Sequence, residues 1–127
     1  MLKLVHAFFC LLLTYTAWLQ LNDPDPLFWC SLYLLAAAAP AMHLLQRPRK
    51  YRTFILGISV GFCFAGIAMA AHGVLDYMPH LKDESIIQDM SPDRPYIEET
   101  REFLGTLIAL AIIACYAWLH KKNSCCK

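Results

Sequence analysis

Two polar segments of the sequence carry the side chains that could do chemistry. The first is a short turn, Asn22-Asp23-Pro24-Asp25-Pro26, and the second places Arg101 among the acids of 98–102. Carboxylates grouped in this way have three candidate roles. They could pair with basic groups of the chain, bind a divalent cation through oxygen ligands, or bind a proton.

Other residue types add little to this chemistry. His72 and Asp76 are four residues apart, so they share a helix face. The sequence contains no CxxC motif, and Cys within an apolar segment behaves as a small apolar residue. We therefore assign no catalytic residue, no metal site and no cofactor. The candidate binding or structural polar cluster comprises Asn22, Asp23, Asp25, His72, Asp76, Glu98, Arg101 and Glu102.

The elements that position these residues are four apolar blocks. Only 17% of the 127 residues are charged and 58% are hydrophobic, whereas a soluble domain is about 25% charged. The blocks cover residues 4–21, 27–45, 53–75 and 103–119 and contain no Asp, Glu, Lys or Arg. Each is long enough to cross a membrane core of about 30 Å as a helix. The predicted fold is an all-α bundle of four transmembrane helices forming one domain.

Two alternatives to this interpretation are less consistent with the residues. A soluble helical bundle would show a polar stripe on each helix, and these blocks show almost none. The first block could be a cleaved signal peptide, with Lys3 before an apolar core. However, no good small-x-small cleavage site follows it, and Trp18 lies where an interfacial aromatic belongs.

The basic and acidic residues are divided almost completely between the two sides of the predicted membrane. Eight of the eleven Lys and Arg residues lie before the first block, in the inner connector 46–52 or in the tail 120–127. All ten acids lie in the turn 22–26 or in the connector 76–102. Because short Lys- and Arg-rich loops remain cytoplasmic, we expect both termini in the cytoplasm and an acidic outer face. No basic patch indicates a nucleic-acid partner.

Local patterns predict details of the outer connector. Residues 83–90 are expected to form a short interfacial helix. Pro95 suits the first turn of a helix that continues into the fourth block, and Arg101 is placed to pair with Glu98. Asp25 is a candidate N-cap for the second helix.

Two further patterns concern packing and modification. Gly57 and Gly61 form a small-xxx-small pair, which favours close helix packing within the bundle or, alternatively, a homodimer face. Cys125 and Cys126 follow the last block on the predicted cytoplasmic side. They are candidates for S-palmitoylation, the alternative being an unmodified polar tail.

The two polar segments also carry a resemblance. The run from Gln20 to Pro26 with Trp29, and the later run from Glu84 through Pro95 to Gly105, are similar to the two signatures of the transmembrane protein 220 family. The resemblance extends from the first block to the fourth. It implies a small multi-pass membrane protein of four helices, and it implies no activity.

These patterns lead to two hypotheses of function. The first is a non-enzymatic membrane protein that binds lipid or a protein partner, with the acidic outer face as its recognition surface. The alternative is a membrane enzyme or ion-binding protein that uses the polar cluster at the outer membrane edge. Rather short blocks lean towards a thin membrane such as the endoplasmic reticulum.

Overall fold

The computed structural model describes residues 2–87 and 93–125. Its helices are α1 (Leu2–Leu19), α2 (Pro26–Leu44), α3 (Arg49–Tyr77) and α4 (Pro95–Cys125), with 3₁₀ turns at Gln20–Asn22 and Met78–His80. All four helices are long and apolar enough to cross a membrane. The predicted four-helix membrane bundle is therefore confirmed.

Helix boundaries follow from local chemistry. Pro26 and Pro95 open α2 and α4, where a missing N–H costs no hydrogen bond. Asp25 occupies the N-cap position of α2, as predicted, but its side chain makes no capping hydrogen bond. After α2 the chain turns at Gln46, whose positive φ of 50° ends the helical path.

Two helices are longer than the apolar blocks within them. α3 has 29 residues, which at 1.5 Å per residue gives a length of about 44 Å. α4 starts at Pro95, so the acids of 98–102 lie on its first two turns, and the prediction of one continuous fourth helix is confirmed.

The predicted helix at 83–90 is wrong for residues 83–87, which form turns and irregular chain, and residues 88–90 lie outside the described part.

Small residues let the helices pack closely around α2. α1 packs on α2, α2 on α3, and α3 on α4, and α2 also contacts α4. The buried residues at these contacts include several alanines, since a small side chain permits close backbone approach. They include Ala36, Ala37 and Ala39 of α2, Ala70 of α3 and Ala109 of α4.

The Gly57–Gly61 pair does not serve the packing within the bundle. Both glycines are exposed, and a Cβ added to either would meet nothing within 4 Å. The glycines of α3 that pack inside the bundle are Gly66 and Gly73. The expectation of intramolecular packing is therefore wrong for this pair, because it lies on another side of α3.

α1 and α4 leave an opening between them. In the described residues their backbones do not approach closely along their length, unlike those of the neighbouring helix pairs. Near one end, Nδ1 of buried His6 lies 2.6 Å from the hydroxyl of Tyr116, which links the two helices. We call this the basic end, because the 46–52 connector lies there, and the other end the acidic end.

Two hydrogen bonds and an ion pair made by Glu84 hold the connector to the helices at the acidic end. Its backbone carbonyl accepts a hydrogen bond from the Tyr77 hydroxyl at 2.8 Å. Its carboxylate accepts one from the Tyr96 hydroxyl at 2.7 Å and lies 3.6 Å from Nε of Arg94. The beginning of the connector is thereby attached to the end of α3 and the start of α4.

Candidate functional site

Carboxylates from two distant parts of the sequence converge at the acidic end. One carboxylate oxygen from each of Asp23, Glu98 and Glu102 lies within 4.8 Å of the other two. Asp23 is 7% exposed, although it sits in a connector, and the two glutamates are partly buried. Ionised carboxylates this close together repel one another, and burial strengthens the repulsion. A bound proton or a positive group must compensate this repulsion.

The surrounding helices fix the position of this trio, which we call the carboxylate cluster. The rigid turn between α1 and α2 carries Asp23 over the start of α4. The buried Tyr33 hydroxyl of α2 lies close to the side chain of Thr106, whose own hydroxyl donates to the Glu102 carbonyl at 2.8 Å. Gly105 leaves room for Tyr33, since a Cβ there would collide with the tyrosine hydroxyl.

Two cavities flank the carboxylate cluster, and Glu98 and Glu102 line both. The α3-side cavity has a volume of about 270 Å³ and is lined by Pro24, Asp25, Trp29, Met69, Pro95, Glu98, Glu99 and Glu102. The α1-side cavity has a volume of about 380 Å³ and is lined by Thr16, Leu19, Gln20, Asp23, Tyr33, Glu98, Arg101, Glu102 and Gly105. The second cavity therefore occupies the opening between α1 and α4.

Three residues that line the α1-side cavity each have a buried polar atom without a hydrogen-bond partner. These atoms are Oδ2 of Asp23, Oε1 of Glu98 and Nη2 of Arg101. A buried group left without a partner costs about 1–3 kcal/mol, and more if it is charged. The cavity therefore offers acceptors and a donor to a ligand.

The pKa of Asp23 is raised to about 6 from its ordinary value of 3.8, chiefly by burial. The negative charge of Glu98 and the hydrogen bond that protonated Asp23 makes with Glu98 contribute to this higher pKa, while the charge of Arg101 opposes it. The cluster thus holds or releases a proton within the range of physiological pH, and a cation that binds there displaces it.

We expect the ligand-free protein to become more stable as the pH falls from about 6 to about 4. In this window the folded state binds more protons than the unfolded state, because the pKa of Asp23 is higher when folded, so unfolding becomes less favourable. Unfolding midpoints in detergent across pH 4–7 would test this. Asp23→Asn should weaken the dependence, and an unchanged profile in this variant would contradict the assignment to Asp23.

The structure does not bring all eight predicted residues together. Asp25 is exposed but lines the α3-side cavity, whereas Asn22 is exposed and lines neither cavity. His72 and Asp76 pair with each other at 2.9 Å, as their spacing predicts, on an exposed helix face outside both cavities. The predicted Arg101–Glu98 ion pair is not formed among the described residues.

The sequence reasoning missed two features of the fold. The site predicted from the sequence does not include Tyr33, although Tyr33 lines the α1-side cavity. At the basic end, the rings of His6, His43 and Tyr116 group together, with centroid separations of 4.9–5.8 Å. Only contact between helices reveals either feature, since neither has a signal in local spacing.

Comparison with known families supports the same architecture. The model of the family described as "Transmembrane family 220, helix" matches residues 12–118, which include both polar segments. The chain belongs to this family. Comparison with curated proteins and with solved structures finds no match. Family membership and the four apolar helices make the chain an integral multi-pass membrane protein.

The candidate palmitoylation sites are not located by the structure of this family 220 chain. Cys125 is the last residue of α4, and the described side chains do not include its own. Cys126 lies outside the described residues. Palmitoylation of both therefore stays a prediction.

Proposed function

We propose that this protein is a non-enzymatic binding protein of the membrane that holds a positively charged group at its carboxylate cluster. The observation that carries the proposal is the burial of Asp23, with Oδ2 unpartnered, in a cluster of like charge. A purely structural cluster would use its oxygens for capping or ion pairs. Here the three acids can carry more negative charge than the one nearby guanidinium balances, and a bound cation would neutralise the excess.

The charge pattern supports a location for this site. The inner connector and the tail are basic and the other connectors are acidic, which by the positive-inside rule directs the acidic end to the lumen or the exterior. The ligand would then enter from that side of the membrane or from the outer leaflet. The acidic outer face of the sequence hypothesis becomes, in this proposal, a defined pocket.

Ligand-induced stabilisation would test the proposal. Purified protein in detergent would be titrated with Ca²⁺, Mg²⁺ or ethanolammonium chloride while its unfolding midpoint is measured. We expect at least one cation to raise the midpoint, since a ligand present at about 100 times its Kd adds about 2.7 kcal/mol. Glu98→Gln should abolish this shift.

Asp76→Asn is the matched control, because it also removes one acid at the acidic end. Asp76 is exposed and pairs with His72 away from both cavities. The control should respond to the cation as wild type does. Equal loss of response in both variants would show general surface attraction, and the absence of any cation response would refute the proposed function.

A further inference from the structure

The opening between α1 and α4 identifies a class of ligand for the carboxylate cluster. We propose that the α1-side cavity binds the headgroup of an amine-bearing phospholipid, with its ammonium group at the carboxylates and its phosphate at Arg101. The inference rests on the proposed function, since it names the cation as part of a lipid. It depends on three observations about charge, size and access.

Charge favours a ligand that carries both signs. Oδ2 of Asp23 and Oε1 of Glu98 are unpartnered acceptors, and Nη2 of Arg101 is an unpartnered donor at the same cavity. A bare metal ion would satisfy the acceptors but would be repelled by the guanidinium. A phosphate paired with an ammonium group a few bonds away satisfies both, because guanidinium binds phosphate and carboxylate accepts from ammonium.

Size and lining agree with an organic headgroup. The volume of about 380 Å³ falls within the range of about 300–1,000 Å³ usual for small-molecule sites and far exceeds that of one ion. Beside the charged groups the wall is provided by Leu19, Thr16 and Gly105. The site thus combines polar atoms with an uncharged wall that suits the glycerol and upper chain of a lipid.

Access favours a lipid over a soluble molecule of the same headgroup chemistry. The cavity is lined by Thr16 and Leu19 of α1 and by Arg101 and Gly105 of α4, whose backbones are apart, so it lies between two membrane-spanning helices. Gly105 lies well inside the fourth candidate span, Pro95–Leu119. A lipid reaches such an opening by lateral movement in the bilayer, with its chains remaining in the apolar phase.

The amine is expected to be primary. Asp23 and Glu98 offer hydrogen-bond acceptors, and a quaternary ammonium has no N–H to donate to them. Trimethylation removes these charge-assisted hydrogen bonds, so it should weaken binding by about tenfold or more. Phosphatidylethanolamine should therefore bind more tightly than phosphatidylcholine.

The test measures lipid retained by the delipidated full-length protein. Native mass spectrometry would count the lipid bound from mixed micelles of phosphatidylethanolamine, phosphatidylcholine or phosphatidic acid, with soluble phosphoethanolamine as a fourth probe. We expect one retained phosphatidylethanolamine, with binding of each other probe at least tenfold weaker. Arg101→Gln should weaken the phosphatidylethanolamine complex by about tenfold or more.

A matched pair of variants tests the entry route. Thr16→Trp would fill the α1-side cavity, while Thr14→Trp places the same ring on an exposed position of the same helix. Both threonine hydroxyls donate to the carbonyl four residues earlier, so both substitutions remove one equivalent hydrogen bond. Only Thr16→Trp should reduce lipid retention, and the unfolding midpoint of each variant would establish that it is folded.

The outcomes separate this inference from the proposed function. Equal retention of the ethanolamine and choline lipids, or equal effects of the two tryptophan variants, would overturn the lipid inference. Binding of phosphoethanolamine as tight as that of the lipid would assign the site to a soluble ligand, and would also overturn it. If Ca²⁺ stabilises the protein through Glu98 while no amine binds, the proposed function stands and the lipid inference fails. If no cation and no lipid binds, both fail.

Discussion

Replacing Gly73 by alanine is expected to lower the unfolding midpoint of the protein by about 5–15 °C. Gly73 lies on the face of α3 that meets α4, and a Cβ there would collide with the side chain of Glu99, including its Cβ. A collision so near the backbone cannot be relieved by rotating a flexible chain end. Overpacking of this kind costs about 1–3 kcal/mol, and a midpoint changes by a few degrees for each kcal/mol in a domain of this size.

Gly61→Ala is the control for this prediction. Gly61 lies on the same helix, but an added Cβ would meet nothing within 4 Å. Because alanine is a better helix former than glycine, this variant should be as stable as wild type or slightly more stable. Midpoints measured for both proteins in the same detergent test the difference. Equal midpoints would contradict close packing of α3 on α4 at Gly73.

These two glycines show why the sequence predicts the elements of this fold better than their packing. Length and the absence of charge are enough to locate four membrane helices. The face of each helix that turns inward is harder to predict, because a lipid-exposed helix has apolar residues on every side and lacks the polar stripe of a soluble one. The Gly57–Gly61 spacing therefore looked like a packing motif, although the packed glycines are Gly66 and Gly73.

The site was predictable to a similar extent. Topology alone places the first turn and the start of the fourth helix at the same end of the bundle, so Asp23 and the acids of 98–102 could be grouped. The sequence could not separate Asp23, which is buried in the cluster, from Asp76, which is exposed and paired with His72. That distinction depends on how the turn after α1 folds over the start of α4 and on the rotation of α3, and neither has a signal in local spacing.

The second large effect concerns Asp23→Asn, which is expected to stabilise the ligand-free protein at pH 7 and to abolish ligand binding. The pKa of Asp23 rises from 3.8 to about 6 on folding, so its ionised form opposes folding at pH 7. A difference of two pKa units corresponds to at most about 3 kcal/mol. Asparagine keeps the shape of the side chain without this charge, and we expect a gain of about 1–3 kcal/mol.

Asp23→Asn is informative because it should increase the stability of the ligand-free protein while abolishing ligand binding. A residue whose role is structural would lose stability when changed, whereas a buried charge retained for binding destabilises the empty protein and is compensated by its ligand. Unfolding midpoints at pH 7 and pH 4, with and without the cation or lipid that stabilises wild type, test both effects.

At pH 4 the advantage of Asp23→Asn should have largely disappeared, because Asp23 is then protonated in the folded state and about half protonated in the unfolded state. Asp76→Asn, which leaves the carboxylate cluster intact, should show neither the gain nor the loss of binding. If Asp23→Asn were instead less stable at pH 7, the cluster would be part of the architecture of the helix ends, and the search for a ligand should move elsewhere in the bundle.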